Sequence, residues 1–421
     1  MAAMIGVWFV CDLNGGNSFD DTHKSRILET ECNRMITSQH KSGGTNSEID
    51  AADWAKGNSS RPRMIPGQTR ATSYPYYHLY AAHRYPPNHV QYAEESYNSL
   101  KNAGVLSGIE GFVVYHEAPD PGYSAEMKEV MEKLRNLYKG DTGKDPELYA
   151  IAGDDPDPEK GIPNRDAFFN NLWWYSKGVF VSEKYCWSEN WKNTEKPMVE
   201  FEKCIINTAN TAKAKRASQG WPCRWIAIVG AHTDTYQGRN YYTPDEYELR
   251  YTSLLPVGLG GDGVAYFVFD WASWTPCTDD IFRNSTTRQN ISNLKPRIDW
   301  LKSQLEPYSN PGYSGWKYNT TNGGWQSFPE SDWLDRIQEN QGDNTSWQKK
   351  LLVAFWKGYT GHEAWPVTSR DPWTGNYSYT AYFKQETHVI WDGDDKGNLT
   401  QFSFTMPPGD TKLLELWPTM W

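Results

Sequence analysis

Acidic and histidine side chains recur at the ends of apolar runs in this chain. Residues 111–115 lead into His116-Glu117, 179–182 into Glu183-Lys184, 225–231 into His232-Thr233-Asp234 and 263–269 into Asp270-Trp271, while the first run, 4–13, reaches Asp12. A carboxylate leaving an apolar strand has no structural motive unless it is paired, hydrogen-bonded or used. Two such groups facing one another suit cleavage of a glycosidic bond. One carboxyl, kept protonated, gives its proton to the leaving oxygen, and the other, ionised, acts on the opposite face of the sugar. Glu117, Glu183 and Asp234 are the candidate catalytic residues. Asp12, Asp270, His116 and His232 are candidate substrate contacts, and Trp187, Tyr236 and Trp271 are candidate flat faces for a sugar ring. Each has a plainer alternative: Lys184 adjoins Glu183, Asp12 and Asp270 can brace loops through their own side chains, and Trp271 can plug a core.

Composition points the same way. The chain of 421 residues carries 21 Trp and 26 Tyr, and 15% of it is aromatic although only 38% is hydrophobic. Rings in so polar a chain cannot all be core, and a flat apolar face with a polar rim suits a pyranose. The net charge of −10, with no basic block, speaks against nucleic acid as a partner, because phosphate contacts need clustered Lys and Arg. No apolar run approaches the ~20 residues of a membrane helix. The six cysteines show no zinc spacing, His116 and His232 lack a Cys or His partner at ligand spacing, and neither phosphate-binding glycine loops nor a nucleophile elbow is present. No metal and no cofactor is expected.

To bring strand-end residues together, the strands must be parallel and neighbouring. Apolar runs at 4–13, 111–115, 148–152, 179–182, 225–231 and 263–269, with a weaker one at 76–82, have the near-continuous character of strands covered on both faces. Between them lie segments of helical period. Met127, Val130, Met131, Leu134 and Tyr138 share one face behind Ser124 as N-cap. Further helices are expected over 92–103, stopped by Gly104, over 198–213, and from a capping box at Thr243-Pro-Asp-Glu246 to Leu255; Leu294, Ile298, Leu301 and Leu305 make the last stripe. This alternation predicts an α/β fold, a (β/α)8 TIM-type barrel over 1–306, with residues 14–72 as one long loop after the first strand. Residues 307–421 change texture, with a short helical piece at 332–338 and then strands at 351–356, 377–383, 387–391, 399–404 and 412–416. They predict a linker and a small all-β sandwich.

The passage Tyr97-Asn-Ser-Leu-Lys-Asn-Ala-Gly104 followed by Gly108-Ile-Glu-Gly111-Phe-Val-Val-Tyr115 resembles barrel glycoside hydrolases, loosely the family 99-like and family 71-like group. Gly261-Asp-Gly263-Val-Ala-Tyr-Phe-Val-Phe-Asp-Trp271 is similar to the last barrel strand of many glycosidases, and that resemblance implies Trp271 as the floor of the subsite for the cleaved sugar. The family 99-like group carries a Trp-Asn-Glu-Trp-type motif after a late strand, where this chain has Gly230-Ala-His-Thr-Asp234. The expectation is therefore a glycoside hydrolase acting on an oligo- or polysaccharide. The alternative is a non-catalytic carbohydrate-binding or surface protein on a degenerate barrel. The start, Met1-Ala-Ala-Met4, lacks the basic flank of a signal peptide, so either a leader has been removed from a secreted or periplasmic protein or the chain is cytoplasmic.

Overall fold

The computed structural model describes residues 3–11, 19–39, 47–66, 88–116, 124–153, 178–183, 186–219, 224–236, 238–269, 277–308, 311–318, 326–340, 350–358, 361–373 and 376–419. Eight parallel strands form the first layer: β1 Met4–Cys11, β2 Arg34–Gln39, β3 Arg63–Pro66, β4 Gly111–His116, β5 Glu147–Gly153, β6 Gly178–Glu183, β7 Trp225–Gly230 and, after a small hairpin of β8 Asp234–Tyr236 and β9 Arg239–Tyr241, β10 Gly263–Phe267. Their order is β3-β2-β1-β10-β7-β6-β5-β4. A parallel bridge between Met64 and Ile109, with the Glu110 N–H donating to the Met64 carbonyl at 3.0 Å, joins the two ends and closes the barrel.

Alternation along each strand divides the side chains between two cores. In β7, Ile226 and Ile228 point inward to meet Met4, Ile36, Val113, Tyr149 and Phe267. Trp225, Ala227 and Val229 point outward against the helices. Charge closes the N-terminal mouth: Arg34 pairs with Glu110 at 2.5 Å and lies 3.9 Å from Glu147, Arg224 lies 3.8 Å from Glu147, and the Tyr149 hydroxyl donates to Glu147 at 2.7 Å.

Among the described residues the helices are α1 Asp21–Glu29, α2 Ser47–Lys56, α3 His89–Asn102, α4 Ser124–Thr142, α5 Lys196–Gln219, α6 Glu246–Gly258 and α7 Ser285–Leu305. Val130, Met131, Leu134 and Tyr138 of α4 are buried, as their spacing predicts. Gly104 stands just past α3 with φ +71°, where a side chain would be strained. The capping box of α6 lies two residues later than expected. Asp245 accepts from the N–H groups of Tyr247 and Glu248, and Glu248 accepts from the Asp245 N–H. Thr243 is drawn away because its hydroxyl bonds Asp279. Among the described residues no helix is long and apolar enough to cross a membrane.

Residues 14–72 are not one loop, for they contain α1, β2, α2 and β3. The expected strand at 76–82 falls outside the described residues.

The rest is an antiparallel sheet of β11 Pro311–Tyr318, β12 Gln326–Ser327, β13 Leu334–Glu339, β14 Leu351–Gly358, β15 Glu363–Ser369, β16 Tyr377–Trp391, β17 Asp394–Met406 and β18 Thr411–Trp417, ordered β11-β14-β15-β18-β16-β13-β12 with β17 on β16. Its two ends face each other because the long β16 pairs with β13 through its first half and with β18 through its second. The fold is thus a TIM-type barrel followed by a β-sandwich. The helical piece expected at 332–338 is instead strand β13. Strand β14 has two buried faces: Leu351, Val353 and Phe355 enter the sandwich core, while Leu352, Ala354 and Trp356 pack on the barrel. The turn at Gly409 (φ +61°) lies so close to α6 that a Cβ there would meet the Tyr247 carbonyl at 2.2 Å.

Candidate active site

Strand register fixes one rim of the barrel. Cys11 is opposite Gln39, His116 opposite Ile151, Gly153 opposite Ser182, Glu183 opposite Val229 and Gly230 opposite Phe267. His116 and Glu183 therefore both terminate strands at the C-terminal mouth, separated by β5 alone. For His116, Glu183 and Tyr236 the backbone is described and the side chain is not; Glu117, Asp12, Asp270 and Trp271 lie outside the described residues.

The segment following β7 supplies the site's described polar groups. The Ala231 N–H donates to the Phe267 carbonyl at 2.5 Å, turning the chain across the mouth. His232 Nδ1 lies 3.0 Å from the same carbonyl, which can only accept, so Nδ1 carries a proton. His232 Nε2 then faces Asp234 Oδ2 at 3.9 Å, and both side chains are 1% exposed. The other Asp234 oxygen accepts from the Thr235 N–H at 2.6 Å. The imidazole also sits edge-on to Phe267 at 5.1 Å. A histidine whose Nδ1–H is bonded to a backbone carbonyl, with a buried carboxylate 3.9 Å from its other ring nitrogen, is an arrangement that can hold a proton near the mouth.

Trp187 is 2% exposed and meets Trp373 of the β-domain edge-on at 6.1 Å and 81°. In this position it is wall material rather than an open platform, and its Nε1 has no hydrogen-bond partner among the described residues. Beside it, Glu248 accepts from the Tyr242 hydroxyl and from Trp373 Nε1, each at 2.5 Å. Burial pushes the Glu248 carboxyl above the usual range, against these hydrogen bonds. Sequence reasoning passes over Tyr242, Glu248 and Trp373. Asp245-x-x-Glu248 is legible as a capping box, but Trp373 reaches this place from the second domain, which no local pattern reveals. Among the described residues, no group of three or more His, Cys, Asp or Glu stands where it could hold a metal ion.

No protein-family model and no curated protein matches this chain in sequence. Solved structures do match it. An α-galactosidase candidate from Bacteroides fragilis superposes with a TM-score of 0.52 at 8% identity, over 100% of this chain and 80% of its own. α-Galactosidase I from Mortierella vinacea gives 0.51 at 8% identity over 99% and 97%. A GH27 β-L-arabinopyranosidase from Geobacillus stearothermophilus, in complex with arabinose, gives 0.50 at 10% identity over 100% and 98%. At such identities the likeness is one of fold: a barrel with a C-terminal β-domain, as in family 27 glycoside hydrolases. These neighbours do not bear out the narrower resemblance to families 99 and 71.

Proposed function

We propose that this chain is a glycoside hydrolase whose site occupies the C-terminal mouth of the barrel. The observation that carries the reading is the rim register, in which the ends of β4 and β6 stand one strand apart. Neighbouring strands are spaced ~4.8 Å, so the two backbones are roughly 10 Å apart, close to the ~5–9.5 Å of a glycosidase carboxyl pair, and both residues stand where strands end and the loops of the mouth begin. Glu117, directly after β4, and Glu183, ending β6, are that pair. Asp234 with His232 is a third proton-handling group, Trp271 is the floor for the sugar ring, and His116, Asp12, Asp270, Tyr236 and Trp187 line or back the mouth. The named neighbours make a galactosyl or arabinosyl residue the first substrate class to test.

The test is p-nitrophenol release from a panel of α-galactosides, β-L-arabinopyranosides and α-L-arabinofuranosides, with Glu117→Gln and Glu183→Gln as controls. Turnover by the parent chain that falls at least ~100-fold in each variant supports the assignment, since positioned acid–base groups contribute about 10²–10⁴-fold. Turnover untouched by either substitution overturns it. Binding of a glycan that is never cut would favour the carbohydrate-binding alternative.

A further inference from the structure

Between His232 and Asp234 stands Thr233, whose backbone and side chain both bond the segment 277–280 that follows the last barrel strand. Its N–H donates to the Asp279 carbonyl at 2.9 Å, and its hydroxyl accepts from the N–H groups of Thr278 at 2.9 Å and Asp279 at 2.8 Å. The Asp279 carboxylate completes the link. Its Oδ2 accepts from the Thr243 hydroxyl at 2.9 Å and from Asn284 Nδ2 at 2.8 Å. Asn284 is in turn the N-cap of α7, accepting from the Thr287 N–H at 3.0 Å. Both ends of the 233–243 excursion are therefore tied to one residue, and that residue is tied to a long, well-packed helix. Cys277 lies inside the same junction, 5% exposed, with Sγ 3.3 Å from the Asp279 carbonyl.

We propose that Thr233 and Asp279 form a clasp between the loops that follow β7 and β10, and that this clasp is the positioning element for His232 and Asp234. The proposal rests on the acid–base reading of Asp234. Residue 233 carries the backbone from which both neighbours project, so fixing its amide and hydroxyl fixes the direction of both side chains without touching either. Proton transfer is steep in distance and angle, and a group held by backbone hydrogen bonds to a rigid helix cap keeps its geometry through the catalytic cycle. Valine at 233 has the same shape but withdraws the acceptor from two amides; serine keeps the acceptor.

The experiment compares the full chain with Thr233→Val, Thr233→Ser, Asp279→Asn and Asp234→Asn. Amide hydrogen exchange over 231–236 and alkylation of Cys277 by iodoacetamide, both read by peptide mass, need no substrate. The expected result is that Thr233→Val and Asp279→Asn raise both rates about tenfold, in keeping with the loss of ~1–1.5 kcal/mol of hydrogen bonding, while the melting temperature holds and Thr233→Ser behaves as the parent. On whichever p-nitrophenyl glycoside the parent cleaves, Thr233→Val lowers kcat and leaves KM in place, and Thr233→Ser restores kcat. Unchanged exchange and alkylation in Thr233→Val overturn the clasp. Faster exchange with an undiminished kcat, where Asp234→Asn does abolish turnover, overturns the positioning role. Full activity in Asp234→Asn would instead end the acid–base reading of that residue, leaving the exchange and alkylation rates to decide the clasp.

Discussion

Arg370, just past β15 in the sandwich, and Glu202, on barrel helix α5, form a bidentate ion pair across the domain interface. Nε to Oε1 measures 2.5 Å and Nη2 to Oε2 2.9 Å, with both side chains 1% exposed. The hydroxyls of Tyr251 and Tyr318 donate to the same two carboxylate oxygens at 2.5 and 2.7 Å, and the guanidinium lies over the Tyr318 ring at 4.6 Å. Desolvation opposes the Arg370 charge, but Glu202 outweighs it and holds the guanidinium pKa above its ordinary value.

Breaking this pair from one side strands the other charge. Arg370→Met and Glu202→Leu are each expected to cost about 3–5 kcal/mol in urea unfolding, with Glu202→Leu the worse because it also strands the buried Tyr251 hydroxyl and takes a partner from the partly buried Tyr318. The double substitution should cost clearly less than the sum of the two. Additive costs in that cycle would mean that the pair contributes no coupling.

Glu48 of α2 predicts a pH effect. Burial pushes its carboxyl from 4.5 up to about 8, against the hydrogen bond donated by Thr37 at 2.6 Å. A raised carboxyl pKa means that the folded state binds the proton more tightly than the unfolded one. The stability from this site is therefore full below about pH 4.5 and is lost progressively as pH rises to about 8. Glu48→Gln should remove that slope, raising the melting temperature relative to the parent at pH 8 and matching it at pH 4. Parallel melting curves at both pH values would refute the assignment.

Trp373→Phe keeps a ring against Trp187 but takes away the N–H that Glu248 accepts. The loss should be about 1–3 kcal/mol, read by denaturant unfolding, because a buried carboxyl oxygen is left short of a donor. An unchanged midpoint would show that the hydrogen bond contributes nothing net.

A chain ending at Tyr308 should be poorly soluble. It uncovers the face of the barrel against which Leu352, Ala354 and Trp356 pack, together with the Gly258 carbonyl that accepts from Trp356 Nε1 at 2.8 Å. Recovery of a soluble, monomeric and cooperatively folding barrel would contradict this.

Six of the eight described barrel strands are legible because each is a near-continuous run of apolar residues. β2 and β3 are not, and the reason is visible in the charged closure of the N-terminal mouth. Arg34 and Arg63 open these strands because they turn toward Glu110, which leaves only Met-Ile as an apolar signature in each. β13 looked helical because Leu334 and Ile337 are three apart. A bulge between Leu334 and Arg336 shifts the alternation, so both reach the sandwich core from a strand. The run 377–391 looked like two strands because Lys384, Gln385 and Glu386 are exposed in its middle, whereas the backbone continues through a register shift. At the site, sequence marked the strand ends that converge on the C-terminal mouth. It could not mark Asp279 or Trp373, whose roles depend on which distant segment lies beside them.

The two-faced strand β14 has a consequence for descent. A single inserted residue anywhere between Leu351 and Gly358 would reverse every later side chain, sending sandwich-core residues to the barrel and barrel residues to the sandwich. Length changes in this lineage should therefore gather in the turns, while this stretch passes between generations without gaps.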